Sequence, residues 1–189
     1  MKPTKFETVC MNLFVDRIPS PLGTLLVVTD SESLCALEFE DREARLMDGL
    51  QRRYDRVSLT STQNPFGLSQ QVQAYLEGEL DSLQSVPLNP GGTAFQQAVW
   101  TALRQIPAGT TASYQDLATR IGKPSACRAV GMANGRNPIA IAIPCHRIIG
   151  SNGKLTGYAG GVTRKRWLLE HEGIQLTDSA SASQRSQMP

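Results

Sequence analysis

The sequence predicts an α/β protein in two parts: a small N-terminal half mixing strands and helices, and a mostly helical C-terminal half. Three observations carry this. Short apolar runs flanked by turn residues occur before residue 40, whereas apolar residues fall at helical spacing from Phe95 onward. Pro87, Pro90, Gly91 and Gly92 interrupt the chain between the two regimes. The charge changes sign at the same place. Residues 1–92 carry 8 basic and 13 acidic side chains, a sum of −5, and residues 93–189 carry 11 and 4, a sum of +7.

In chain order, Leu22–Val28 follows a Pro-Ser-Pro turn signal and reads as a strand. Ser33–Phe39 reads as its hairpin partner across an Asp-Ser-Glu-Ser turn. Residues 42–54 read as a helix with Leu46 and Leu50 on one stripe. A second helix is expected over 67–79, with Leu68, Val72, Tyr75 and Leu76 facing inward. Thr93 and Gln96 form a capping-box pattern ahead of Phe95, Val99, Ala102 and Ile106, and Pro107 and Gly109 end that helix. Ser113 and Asp116 form another, opening a short helix to about Ile121. After Gly122-Lys123-Pro124, Ser125 is expected to cap a third helix to about Asn134, which completes a helix-turn-helix outline. The predicted domains are 1–92, 93–175 and a disordered Ser/Gln-rich tail, 176–189.

The net charge is only +2, yet within 93–169 ten Lys and Arg face a single acid, Asp116. This asymmetry fits one half lying against a polyanion while the other faces away. An ordinary surface of uneven charge gives the same count. No apolar run approaches the roughly 18 residues that suggest a membrane span, and Met1–Glu7 has no apolar run after its lysines, so no signal peptide is expected. The expected location is a reducing cytosol, where Cys10, Cys35, Cys127 and Cys145 remain thiols. Their spacing matches no zinc motif.

The helix from Ala126 to Arg136 contains Gly131 and Gly135, each costing about 1 kcal/mol relative to Ala inside a helix. Close packing on another helix would offset that cost, and so would close approach to a minor groove only about 6 Å wide. Arg128 rises from this thin Ala/Gly surface. The apolar run Ile139–Ile143 closes at Pro144 and delivers Cys145-His146. A thiol beside a base can act as a nucleophile, provided that the chain turns or a water bridges the pair. The imidazole needs an orienting partner, and acids are scarce here; Glu172, just before the helix-stopping Gly173, is one of them. The segment Gly150–Gly161, with five glycines in twelve residues and Tyr158 within it, reads as a binding wall.

Together these segments resemble the O6-alkylguanine-DNA alkyltransferase family, the methylated-DNA–protein-cysteine methyltransferases. Ile143-Pro144-Cys145-His146-Arg147 looks like its active-site signature. Arg128-Ala129-Val130-Gly131 with Asn137-Pro138 looks like its recognition helix and hinge. Gly157-Tyr158-Ala159-Gly160-Gly161 and Leu168–Gly173 look like its active-site loop and closing helix. The resemblance implies a ribonuclease-H-like N-terminal domain and a winged helix-turn-helix-like motif in the C-terminal one. It implies Cys145 as alkyl acceptor, His146 as base through a water, Glu172 orienting His146, and Asn137 stabilising the turn between recognition helix and active-site strand. It further implies a substrate site formed by Tyr114, Ile148, Tyr158 and Ala159, and a DNA surface formed by Tyr114, Gln115, Arg128, Ala129, Gly131 and Ser151. Tyr114 would drive nucleotide rotation and Arg128 would fill the vacated stack. The implied partner is double-stranded DNA carrying O6-alkylguanine, with O4-alkylthymine as a further substrate. The protein would be a monomer in solution, cooperative loading on DNA being left open, and nucleoid-associated when bound. Some relatives hold zinc in the N-terminal domain, but no His precedes His146 here, so no cofactor is expected. Two rivals remain: a lesion binder that signals without chemistry, and a thiol hydrolase that turns over repeatedly.

Overall fold

The computed structural model describes residues 10–176. The expectation of a disordered tail falls, apart from Gln's neighbour Leu176, outside them. The N-terminal half is built on a four-stranded sheet of order β3-β2-β1-β4, with β1 Met11–Ile18, β2 Leu25–Thr29, β3 Leu34–Phe39 and β4 Val57–Ser61. β2 pairs antiparallel with β1 and β3, whereas β4 returns parallel to β1 after helix α1, Glu43–Tyr54. Every residue of β2 and β3 is buried, because both sheet faces are covered. On one face Leu13, Val15, Leu26, Val28 and Ala36 pack with Leu46 and Leu50 of α1. On the other, Leu25, Val27, Leu37 and Phe39 meet Val72 and Tyr75 of helix α2, Leu68–Leu76. That second core is continuous with Val99, Leu103, Leu117, Val130, Ile139 and Leu168 of the C-terminal half.

The C-terminal half contains α3 (Ala94–Arg104), α4 (Tyr114–Arg120), α5 (Cys127–Gly135) and α6 (Val162–His171), with a two-residue parallel pair, β5 Ala112–Ser113 and β6 Ile148–Ile149. Both capping boxes form. The Thr93 side chain accepts from Gln96 N and that of Ser113 from Asp116 N, each with the reciprocal bond. Helices α4 and α5 pack together as a helix-turn-helix, with α3 behind them. Among the described residues no helix is long and apolar enough to cross a membrane.

Several expectations need correction. The strand expected from Leu22 begins at Leu25. Ser20 Oγ accepts from Leu22 N–H and Gly23 has φ +97°, so these residues form a turn. The helix expected to Glu79 stops at Leu76, with Gly78 at φ +110°. Ser125 does not cap α5; the cap position is Ala126, which makes no side-chain cap bond. The run Ile139–Ile143 is not a strand. It winds through tight turns, Ala142 N to Ala140 O at 2.7 Å and Ile143 N to Ile139 O at 3.0 Å, because the Asn137 side chain satisfies backbone groups that a sheet would otherwise pair. Strands β1 and β4 are additions to the sequence reading.

Candidate active site

Cys145 follows Pro144 in a single 3-10 turn, Cys145–Arg147, which is the change of direction that an adjacent Cys-His pair requires. Ahead of it, Ile141 sits at φ +68°. A β-branched residue in the left-handed region costs about 1–3 kcal/mol and persists only where its surroundings enforce it. Asn137 is part of that enforcement. Its Oδ1 accepts from Ile139 N–H at 3.0 Å, and its Nδ2 donates to Ile143 O at 2.8 Å and to Cys145 Sγ at 3.1 Å. Three residues of the turn, Ile139, Ile143 and Cys145, are thereby tied to one amide.

Cys145 and His146 use different partners. Burial pushes the Cys145 thiol above its ordinary pKa, while the Asn137 hydrogen bond and the Lys165 charge pull the other way without prevailing. Burial likewise holds the His146 imidazole below its ordinary value, against the pull of Glu172. His146 Nε2 lies 2.9 Å from Glu172 Oε1. Burial pushes the Glu172 carboxyl up, but hydrogen bonds from His146 and Arg147 outweigh it and bring the pKa to about 2. Glu172 is therefore ionised and His146 neutral, which puts the ring proton on Nε2, facing the carboxylate. Nδ1 is left as the basic nitrogen, and it is buried with no protein partner. The site at rest thus pairs a neutral thiol with an oriented base whose Nδ1 makes no hydrogen bond to protein among the described residues.

Glu172 caps α6. The chain turns away at Gly173, φ +86°, with Ile174 N–H bonded to Leu169 O. The carboxylate also accepts from Arg147 through Nε and Nη2 and from Tyr75 Oη at 2.6 Å. In the sequence Arg147 stands out only as part of the active-site signature and Tyr75 only as an inward-facing residue, neither with an assigned role, and Lys165 is not singled out. Lys165 is 1% exposed and donates through Nζ to Ile148 O and to Thr156 O and Oγ1. Burial lowers its pKa to about 8, against the attraction of Cys145. For Tyr75 and Lys165 the only sequence signal is a polar side chain at an inward-facing position, whereas Arg147 lies in the active-site signature.

The other expected residues fall into two groups. Ile148 is buried, and Tyr158 and Ala159 are half-buried, in the segment leading to α6. Tyr158 Oη is buried with no hydrogen-bond partner among the described residues. A Cβ at Gly160 would come 2.5 Å from Phe39 and 2.7 Å from Tyr158, so only glycine fits there. The second group lies on the helix-turn-helix. Tyr114 opens α4 and pairs its hydroxyl with Thr156 at 3.2 Å. Gln115, Arg128 and Ala129 are exposed, Gln115 donating to Pro124 O. Ser151 is exposed in the loop after β6. Close helix packing does not account for the glycines of α5. A Cβ at Gly131 would meet only the Tyr114 ring, at an ordinary 3.7 Å, and one at Gly135 would meet nothing within 4 Å.

The basic surplus also becomes more specific. Arg147 and Lys165 are buried and leave the surface count. The exposed cations of residues 93–169 are Arg120, Lys123, Arg128, Arg136 and Lys154, and the first four lie on or beside the helix-turn-helix.

Residues 14–90 match the 6-O-methylguanine DNA methyltransferase ribonuclease-like domain, and residues 94–174 match the DNA binding domain of the same family. Similar curated proteins include the methylated-DNA–protein-cysteine methyltransferase of Shigella flexneri, 48% identical over 172 residues, covering 88% of this chain and 99% of that one. The Salmonella typhimurium protein of the same name is 49% identical at the same coverage. Among solved structures, the O6-methylguanine methyltransferase of Mycobacterium tuberculosis is 44% identical with a TM-score of 0.70, over 85% of this chain and 92% of that one. The Mycobacterium tuberculosis OGT in complex with DNA, also 44% identical, gives 0.71 over 84% and 92%. With both domains matched and nearly half the residues identical across most of its length, this chain belongs to the 6-O-methylguanine DNA methyltransferase family.

Proposed function

We propose that this protein takes the alkyl group from O6-alkylguanine in double-stranded DNA onto Cys145, once per molecule, after flipping the damaged nucleotide out of the stack. The broader activity is that of its family: it is a methylated-DNA–protein-cysteine methyltransferase, a DNA repair enzyme that binds DNA and transfers an alkyl group to a cysteine. The observation that carries the finer reading is the buried group of Cys145, Asn137, His146 and Glu172, with His146 Nδ1 making no hydrogen bond to protein among the described residues.

The chemistry follows from that arrangement. The thiol is neutral at rest, so it must lose its proton to become a nucleophile. His146 Nδ1 accepts that proton through a water, and the ionised Glu172 stabilises the imidazolium. The sulfur lone pair attacks the alkyl carbon; the S–C bond forms as the C–O6 bond breaks, and O6 leaves with the electron pair. Tyr114, whose hydroxyl pairs with Thr156 in the free protein, protonates the departing guanine and regains a proton from solvent, while the His146 imidazolium returns the thiol proton to solvent. In net terms the thiol proton replaces the alkyl group on guanine. The thioether product has no leaving group that would regenerate the thiol, and Cys145 is consumed.

Reaching O6 requires extruding the nucleotide, at a cost of a few kcal/mol. The exposed Ala129 and the glycines of α5, which packing does not demand, support entry of this helix into the minor groove, with Arg128 filling the gap and Ile148, Tyr158 and Ala159 around the base. Arg128→Ala should slow repair of duplex by about tenfold or more while leaving transfer from the free O6-methylguanine base nearly unchanged; equal losses on both substrates would remove its role in flipping. The reading as a whole is tested by counting guanine restored in a lesion-bearing duplex. One guanine per protein molecule is expected, and a molar excess would favour a thiol enzyme that turns over.

A further inference from the structure

Two charged groups of the N-terminal half, Glu38 and Arg45, stand against the hinge segment. Glu38 of β3 is a carboxylate with 7% of its side chain exposed. It accepts from Arg45 Nη1 at 2.5 Å, and Arg45 in turn donates through Nη2 to Gly135 O at 2.7 Å and to Asn137 O at 3.4 Å. Gly135 ends α5, and Asn137 holds the thiol. The backbone of β3 grips the same segment beside this pair, with Leu37 N–H bonded to Pro138 O at 3.1 Å and Leu37 O accepting from Ala140 N–H at 2.8 Å. The hinge is thus clamped from the N-terminal half, about a hundred residues away in sequence.

We infer that the Glu38–Arg45 pair is a positioning device for the nucleophile: it fixes the backbone that carries Asn137, and it keeps the buried Glu38 charge neutralised beside Cys145. This rests on Cys145 being the alkyl acceptor. The charges acting on the thiol come from three directions, Glu38 from β3, Arg45 from α1 and Lys165 from α6, beside the neutral His146 imidazole and the neutral Tyr158 hydroxyl. Glu38 opposes thiolate formation, while Arg45 and Lys165 favour it. Arg42 Nε stands 3.7 Å from the same Glu38 oxygen and softens the loss of Arg45, but Arg45 is the residue whose guanidinium also bonds the hinge carbonyls.

The test is the pH dependence of the single-turnover rate on a duplex carrying one O6-methylguanine, read by mass spectrometry of the Cys145 peptide. Arg45→Met should move the midpoint up by about 1 pH unit, the low end of what a nearby charge does to a titrating group, and slow transfer at neutral pH by about tenfold. Arg45→Lys should hold the midpoint near that of the wild type. Adding Glu38→Gln to Arg45→Met should bring the midpoint back down, which a merely structural role for Arg45 would not do. Should Arg45→Met fail to fold, Glu38→Gln alone should lower the midpoint. An unmoved midpoint in folded Arg45→Met, or in Glu38→Gln, overturns the inference. A wild-type protein that gains no methyl at Cys145 overturns the underlying reading and the inference with it.

Discussion

Glu172→Gln should lose most of its alkyl transfer and several kcal/mol of stability together. The carboxylate is the common acceptor for His146, Arg147 and Tyr75. Removing its charge strands the buried Arg147 guanidinium, and breaking a buried ion pair costs about 3–5 kcal/mol. For a chain of this size that is a fall in Tm of roughly 10 °C. It also removes the anion that orients His146 and stabilises its protonated form, for which a loss of about 100-fold in transfer rate is expected. The pH dependence gives an independent check. The folded-state pKa of about 2 lies below the ordinary 4.5, so Glu172 contributes its full stabilisation above pH 4.5 and loses it as the pH falls toward 2. The wild type should therefore lose Tm through that window, and Glu172→Gln should lose less of it. A variant with wild-type transfer and an unchanged acid profile would contradict the assignment of Glu172 as the orienting acid.

Asn137→Ala should be the other severe substitution. It leaves Ile139 N–H unpaired in the interior, at about 1–3 kcal/mol, removes one of the two hydrogen bonds to Ile143 O, and releases the strained φ of Ile141 from one of its restraints. It also takes away the hydrogen bond that lowers the Cys145 thiol against burial. The expected result is a lower Tm together with a pH–rate midpoint displaced upward, measured by single-turnover repair. Asn137→Asp offers the contrast: it can keep the acceptor toward Ile139 but places a negative charge against Sγ, so its midpoint should rise further. A midpoint that stays in place in both variants would reduce Asn137 to a structural residue.

Much of the C-terminal half was legible because its signals are local. The two capping boxes lie within four residues of themselves, and both formed as written. Cys145-His146 is adjacent in sequence, and Gly173 marks the helix end that presents Glu172. What was missed depends on distant chain. Strand β4 alternates apolar and polar residues but is only five residues long with none buried, and it joins the sheet by parallel pairing with β1, more than forty residues back. Tyr75 reaches Glu172 across 97 residues and Arg45 reaches Gly135 across 90; neither side chain looks unusual in its own helix. Ile139–Ile143 is only an apolar run in the sequence, the resemblance implies a strand there, and the Asn137 side chain explains why it turns instead. The charge count erred in the same way. It scored Arg147 and Lys165 as surface, although burial makes them internal partners of Glu172 and Ile148.

The nucleophile itself is the point on which everything else depends. The most direct measurement is mass spectrometry of the protein after incubation with a duplex carrying a single O6-methylguanine. The wild type should gain one methyl group, located on the Cys145 peptide, and Cys145→Ala should gain none. Guanine restored while Cys145 stays unmodified, or a methyl group found on another residue, would contradict the assignment.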